Sequence, residues 1–207
     1  GPPGNGKTML AKAVATEVHE HGATFFFVPA AVVMARYYGD SERRVKVLCE
    51  IARDFQPTVV FLDEVESLLG SRRATHVMEH HKSVTTSLLQ CMDGFESNPE
   101  DRVFFLGATN LPEAIDEAAL RRFGAFVEVA APGPEDRGQY LRQAIAAGHS
   151  SGHLADLPPD ALARLVVLTE GHSYDDLRRV VQEAFLQPVR DLPREEVPAA
   201  RAEGLRP

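Results

Sequence analysis

The sequence lacks several features that would place it in a specialised class of protein. It contains no run of about 18 apolar residues, and no charged leader followed by an apolar stretch, so it predicts neither a membrane span nor a signal peptide. It contains no internal repeat and no coiled-coil heptads. Its 44% hydrophobic content is sufficient for packed cores. We therefore expect a globular, cytoplasmic protein without direct membrane insertion.

The sequence also carries no excess of positive charge and contains only two cysteines. The 207 residues carry a formal net charge of −8, which argues against binding to the phosphate backbone of nucleic acid. The two cysteines, Cys49 and Cys91, are far apart, form no Cys-x-x-Cys motif, and each lies in a helical apolar pattern. We predict buried free thiols here rather than a disulfide.

Apolar runs and helical periodicity alternate along the first 130 residues. The predicted strands cover residues 24–28, 58–62 and 103–106, with a further strand-like run at 125–129. The predicted helices cover residues 8–21 and 41–55, a segment from about Glu64, and a segment ending near Asp93. Such alternation is typical of an α/β fold with a parallel sheet and helices on both faces.

A cluster of proline and glycine at residues 131–134 predicts a domain boundary. We therefore expect an α/β domain over residues 1–130 and a small all-α domain over 131–207. Helices are predicted at 135–147, 159–169 and 173–187, with Pro188 near the last break. The tail from Asp191 is expected to be loop.

The first eight residues match the pattern G-x-x-x-x-G-K-[ST], which wraps phosphates with backbone N–H groups at a helix N-terminus. Lys7 would contact the β- and γ-phosphates, and the Thr8 hydroxyl would hold Mg²⁺. The predicted nucleotide-binding residues of this segment are Gly1, Pro2, Pro3, Gly4, Asn5, Gly6, Lys7, Thr8 and Met9. Because such a loop follows a buried strand, we expect one upstream of Gly1, so the sequence looks like a fragment.

Two acidic residues, Asp63 and Glu64, follow the buried run at 58–62. An acid at the carboxyl end of a buried strand can reach the metal in the nucleotide crevice. Asp63 would bind Mg²⁺ directly or through water, and Glu64 would polarise the attacking water. Together with the phosphate loop, this pair predicts an ATP hydrolase that uses ATP and Mg²⁺.

Several segments stand in the order found in AAA ATPases: GPPGNGKTMLAKAVA, YGDSER, VVFLDEVESLL, MDGF, GATN and AIDEAALRRF. The chain resembles the group that contains spastin, katanin, fidgetin and the endosomal-sorting ATPase Vps4. This resemblance implies a P-loop NTPase fold followed by a helical lid.

The resemblance also implies roles for residues outside the phosphate loop and the acidic pair. Asn110 matches the sensor that orients water near the γ-phosphate. Arg121 and Arg122 match arginine fingers, which reach into the site of a neighbouring subunit. Without the resemblance, they would be two solvated arginines. Fingers imply active sites formed between protomers of a ring homo-oligomer, expected to be a hexamer.

Two further segments match the pore loops of the family. Arg36, Tyr37 and Tyr38 match the first, which grips an extended polypeptide; the alternative is aromatic side chains packed on the core. His80, His81 and Lys82 fall at the second. Adjacent histidines on a helix do not face one site, so a metal site there is rejected.

This chain departs from the family pattern in three places, at residues 82–84, at 125–126 and at Tyr174. Tyr174 stands where the family has a small residue beside the adenine. The resemblance favours a motor that severs microtubules by pulling tubulin tails. The alternatives are disassembly of membrane-associated filaments, a nucleotide-binding scaffold without turnover, and a DNA-loading clamp or helicase ATPase.

Overall fold

The computed structural model of the chain describes residues 1–34, 39–70, 79–150 and 160–190. The chain divides into two compact units, the first over Gly1–Val129 and the second from Ala130 onwards. Within these described ranges, no helix is both long enough and apolar enough to cross a lipid bilayer.

The first unit alternates strands and helices. Its elements are α1 (Lys7–Glu20), β1 (Thr24–Pro29), α2 (Ala30–Val33), α3 (Asp40–Asp54), β2 (Thr58–Asp63), α4 (Glu79–Glu96), β3 (Val103–Gly107) and α5 (Glu117–Phe123), with single 3-10 turns at Val65–Ser67 and Pro112–Ala114.

The three strands form one parallel sheet in the order β1-β2-β3. The central strand β2 is almost wholly buried because it has a neighbour on each side and helices over both faces. Val60 and Leu62 point into the core shared with α3 and α4, whereas Phe61 packs with Ala11 of α1 on the opposite face. This alternation of side chains confirms the predicted α/β fold.

One stripe of α4 seals the larger core. Val84, Leu88, Met92 and Phe95 recur at helical spacing, and each is at most 6% exposed. Thr85 also lies in the interior, where its hydroxyl donates a hydrogen bond of 2.7 Å to the Leu68 carbonyl. The stripe therefore fixes α4 against the sheet.

The second unit contains helices α6 (Pro134–Ser150), α7 (Ala161–Leu168) and α8 (Tyr174–Arg190). Helix α6 contacts both of the others. Leu141 of α6 and Leu177 of α8 are the most deeply buried of its described side chains. Arg137 is also buried and donates hydrogen bonds of 3.1 Å to the carbonyls of Pro132 and Val166, which ties α6 to α7.

Four sequence predictions differ from the structure. The helix expected from about Glu64 is only a 3-10 turn, because Leu68 and Leu69 must enter the core directly after β2. The run at 125–129 forms no strand, since it pairs with none of the described strands. Helix α8 continues through position 188 to Arg190.

The fourth difference concerns the cysteines. Cys49 and Cys91 are not free thiols but are joined by a disulfide. Helices α3 and α4 pack side by side and bring the two residues together although they are 42 positions apart in the chain. A contact between distant helices leaves no signal in the local spacing of cysteines.

Candidate active site

The glycine-rich segment forms a tight loop that leads into α1. Gly4 and Gly6 have φ angles of 77° and 88°, which side chains with a Cβ rarely adopt. Gly6 caps α1 without any side-chain hydrogen bond to the first turn. The first N–H groups of the helix are thus available to an anion, and the helix dipole favours negative charge there.

Lys7 turns back over the loop. Its ammonium donates hydrogen bonds of 2.6 Å and 2.7 Å to the carbonyls of Gly1 and Pro2. Burial lowers the pKa of Lys7, while the negative charges of Glu66 and Asp63 act in the opposite direction. The ammonium is held at the mouth of the loop by backbone oxygens, for which phosphate oxygens would be strong competitors.

Asn5 lies inside the loop and is only 5% exposed. Its amide nitrogen donates a 3.5 Å hydrogen bond to the Pro2 carbonyl, while its buried Oδ1 atom has no hydrogen-bond partner in the described structure. Asn5 therefore shapes the loop from within.

The acidic pair lies opposite the start of α1. The Thr8 hydroxyl donates to Oδ2 of Asp63 over 3.3 Å, which joins α1 to the carboxyl end of β2. Glu64 follows in a left-handed conformation with φ of 55°, and its backbone N–H donates to Oδ1 of Asp63 over 3.1 Å. The Glu64 side chain is exposed, whereas the Asp63 side chain is half-buried.

The carboxyl end of β3 meets the same place. Leu62 pairs with Gly107, so Asp63, the last residue of β2, and Asn110, three residues after β3, lie at the carboxyl ends of neighbouring parallel strands. The amino group of Gly1 donates a 3.3 Å hydrogen bond to the Thr109 carbonyl, which brings the phosphate loop to this edge. The residues predicted around the phosphates, from Gly1 to Asn110, thus cluster at one edge of the sheet.

Glu66 was not among the site residues predicted from the sequence. Its carboxylate interacts electrostatically with Lys7, and its Oε2 atom is buried without a hydrogen-bond partner in the described residues. The available signal was its position three residues after Asp63 in the segment DEVE, where a tight turn returns the side chain to the same side.

The two arginines of α5 have partners within this chain. Arg122 makes a bidentate ion pair with Asp93 of α4, with N–O distances of 2.5 Å and 2.7 Å. These hydrogen bonds lower the pKa of Asp93. Arg121 pairs with Glu117 one turn earlier in α5, over 2.6 Å, and both side chains are largely exposed. The partners of both arginines thus lie in α4 and α5.

The residues predicted for the pore loops are only partly described. Arg36, Tyr37 and Tyr38 lie outside the described residues. Positions 80 and 81 belong to the first turn of α4, but the side chains of His80 and His81 also lie outside the description. Lys82 follows in α4 and is exposed.

The residues of this edge suit a nucleotide with its magnesium ion. The uncapped start of α1 and the Lys7 ammonium offer donors and positive charge to phosphates. The Thr8 hydroxyl and Asp63 carboxylate are the hard oxygen ligands that Mg²⁺ prefers. No group of three or more His, Cys, Asp or Glu among the described residues could hold a metal ion.

Comparison with known proteins agrees with this geometry. The model of the "ATPase family associated with various cellular activities (AAA)" matches residues 1–131. Spastin of Drosophila virilis is 43% identical over the whole chain, and spastin of Danio rerio is 43% identical over 95% of it. The chain spans 26% and 33% of those two relatives, respectively.

A solved structure gives the same result. The crystal structure of the FIGL-1 AAA domain in complex with ADP superposes with a TM-score of 0.78 at 34% identity, covering the whole chain and 65% of that domain. The resemblance drawn from the sequence motifs is confirmed. With 63% of its length matched by the family model and its whole length by spastins, the chain belongs to the AAA family of ATPases, in the katanin, spastin and fidgetin group.

Proposed function

We propose that this chain is the ATP-hydrolysing motor of a protein that severs microtubules. The observation that supports hydrolysis best is the convergence of Lys7, Thr8 and Asp63 at one edge of the sheet, with Thr8 hydrogen-bonded to Asp63. The choice of substrate rests on the spastins, which match the chain from end to end.

Each residue of the site has a part in phosphoryl transfer. Lys7 and the first N–H groups of α1 bind the β- and γ-phosphates, and Thr8 and Asp63 hold Mg²⁺. Held by these two residues, Mg²⁺ would supply positive charge that offsets the negative charge of the β- and γ-phosphates. Glu64 polarises the attacking water as a general base, and Asn110 orients it. Met9 follows Thr8 directly and is exposed, and in this proposal it contacts the nucleotide.

The two arginines act between subunits in this proposal. Arg121 and Arg122 stabilise the charge that develops on the phosphoryl group of a neighbouring protomer. Arg122 must then exchange Asp93 for a phosphate, which is feasible because both groups are near the surface and the ion pair is partly solvated. The active oligomer is a ring homo-oligomer, a hexamer, and acts beside the cytoskeleton.

The pore segments give the motor its grip on protein. Tyr37 and Tyr38 hold the extended backbone of a tubulin tail, while Arg36 and Lys82 attract its carboxylates. His80 and His81 add to this attraction when protonated. Disassembly of membrane-associated filaments is the second candidate; severing is preferred because of the spastin relatives, which are 42–44% identical.

The test of hydrolysis is Glu64→Gln in the full-length protein. The amide keeps the size of the side chain but cannot act as a base, so we expect turnover to fall by a factor on the order of 10²–10⁴. ATP binding should remain near wild type, since Glu64 is exposed and does not hold the loop. Turnover would be followed by phosphate release and binding by a fluorescent nucleotide.

Glu50→Gln on the exposed side of α3 is the matched control, because it removes the same charge away from the site. Equal turnover in Glu64→Gln and wild type would exclude Glu64 as the base. Severing is tested separately by microscopy of labelled microtubules with the wild-type protein. Active turnover without severing would leave the ATPase assignment intact and give preference to filament disassembly.

A further inference from the structure

The disulfide between Cys49 and Cys91 connects two neighbouring helices of the first unit. It joins α3 to α4, with a Cα–Cα distance of 6.4 Å that lies within the range a disulfide spans. Helix α3 follows the first of the two segments assigned to the pore loops, and α4 contains the second in its first turns. The bridge therefore joins the two elements that support those segments.

The two helices run in the same direction along a shared seam. Near their N-terminal ends, the Ser83 hydroxyl of α4 hydrogen-bonds to the Glu42 carboxylate of α3. The disulfide lies about two helical turns further along both helices. Beyond it, the Arg53 guanidinium of α3 lies 4.7 Å from the centre of the Phe95 ring of α4.

Contacts other than the disulfide also hold α3 against α4. Val45 and Ala52 of α3 share a continuous buried cluster with Val84 and Leu88 of α4, and each of the four is at most 1% exposed. These apolar contacts and the polar pairs at both ends of the seam persist when the sulfurs are separate. Reduction would thus leave two thiols in a folded helix pair.

Both cysteines lie at the margin of the core rather than inside it. Cys49 and Cys91 are both partly exposed, unlike the core residues of the same two helices. Exposed disulfides exchange with thiols more readily than fully enclosed structural ones. In a reducing compartment, the disulfides that do occur are mostly transient or redox-sensing.

We propose that Cys49 and Cys91 form a reversible redox site that exchanges with a small cellular thiol of the glutathione class. One glutathione thiolate attacks one sulfur and displaces the other, which leaves as a thiolate and takes up a proton. A second glutathione thiolate attacks the mixed disulfide and releases the second cysteine. The protein gains two electrons and two protons, and two glutathiones become one glutathione disulfide.

The oxidised state links α3 covalently to α4 near the middle of their seam, whereas in the reduced state only non-covalent contacts join the two helices. A disulfide also removes freedom from the unfolded chain, so the oxidised protein is the more stable form. This inference does not depend on the proposed severing activity, since both consequences are measurable without nucleotide or substrate.

The test is a redox titration of the full-length protein in buffers of reduced and oxidised glutathione. Peptide mapping after thiol alkylation should find Cys49 and Cys91 joined in the oxidising buffer and both alkylated in the reducing one. The oxidised protein should melt higher, by about 5–10 °C. Cys49→Ser and Cys91→Ser should each abolish the redox-dependent difference in Tm and melt near the reduced wild type.

Three results would overturn the proposal. The first is full alkylation of both cysteines in the oxidising buffer. The second is a disulfide that glutathione opens only after the protein unfolds, which would make it a structural bridge. The third is a redox-dependent Tm difference that survives in both serine variants, which would trace it to other cysteines. ATP turnover in the two buffers would be a separate measurement that decides whether the redox site affects the motor.

Discussion

At the scale of single residues, the turn after β2 has an unusual backbone. Glu64 is the non-glycine residue with a positive φ among those described, at 55°. Such a conformation costs about 1 kcal/mol or more, and it persists only where neighbours hold it in place. Here the next N–H, that of Val65, donates to the Ala108 carbonyl over 3.0 Å, which fixes the turn between β2 and β3. The Glu64 side chain at this turn is exposed.

The ion pair between Asp93 and Arg122 gives a second residue-scale feature and a prediction about pH. Arg122 lowers the pKa of Asp93 from its usual value of 3.8, so the pair stabilises the fold while the carboxylate is charged. This contribution is fully present above the unfolded pKa and is lost as pH falls through the lower folded pKa. Asp93→Asn should thus be less stable than wild type at pH 7, and this deficit should shrink below about pH 4.

Urea unfolding at several pH values between 3 and 7 measures this deficit directly. Glu117→Gln, which removes the exposed partner of Arg121, is the control and should change stability by less than about 0.5 kcal/mol. A deficit of Asp93→Asn that is the same at pH 3 and pH 7 would show that the ion pair is not its cause.

At the scale of elements, α4 illustrates how local pattern becomes packing. Leu88 is 1% exposed at the middle of the buried stripe. Leu88→Ala should lower the free energy of unfolding by about 2–5 kcal/mol, because it removes buried apolar contacts and leaves a cavity. Gln90→Ala, two positions along on the exposed side, should change it by less than about 0.5 kcal/mol. The measurement is chemical denaturation followed by circular dichroism.

An equal loss in the two α4 variants would contradict the assignment of the buried stripe. If Leu88→Ala lowers the free energy of unfolding by much less than 2 kcal/mol, the side chains around α4 have instead relaxed to fill the cavity.

The elements also show which features the sequence could predict. The strands at 24–28, 58–62 and 103–106 were predicted nearly to the residue, because a buried strand needs an apolar run bounded by turns. The segment from Glu64 has helical composition, but Leu68 and Leu69 are buried in the core, and this packing sets the course of the backbone. A strand at 125–129 was wrong because pairing is not a local property. Phe126 and Val127 are 69% and 82% exposed there.

In the site, too, the residues set by a local motif were predicted and those set by tertiary packing were not. The phosphate loop and the acidic pair have fixed spacings in the sequence, so both were predicted from motifs. Glu66 and the Asp93 partner of Arg122 were not, since each depends on how a turn or a helix end packs. The disulfide is the extreme case, a contact across 42 residues with no local pattern.

At the scale of the whole molecule, charge and division into units shape what the motor can do. The chain carries a net charge of −8, so attraction of an acidic peptide must come from a local group of cations rather than from the overall field. The proposed group, Arg36 and Lys82, lies in the first unit, which also contains the whole phosphate site. In the proposed function, grip and hydrolysis therefore belong to one unit but to different segments of it.

This separation leads to a prediction for Tyr37→Ala in the full-length protein. Removing the aromatic ring should abolish microtubule severing, because the ring is proposed to pack against the extended backbone of the tubulin tail. Basal ATP turnover should stay near wild type, since the hydrogen bonds described for Lys7 and Thr8 at the phosphate site go to Gly1, Pro2 and Asp63. Severing is scored by microscopy and turnover by phosphate release, on the same preparation.

Tyr37→Phe is the matched variant, because it keeps the ring and removes only the hydroxyl, and it should retain most of the severing activity. Retained severing in Tyr37→Ala would remove this residue from the gripping role. Loss of both activities, together with a lowered Tm, would indicate that the ring is part of a core.

Because an attraction between charges weakens as the Debye length falls below about 10 Å, raising the salt above 0.1 M should reduce severing by the wild type more than its basal turnover.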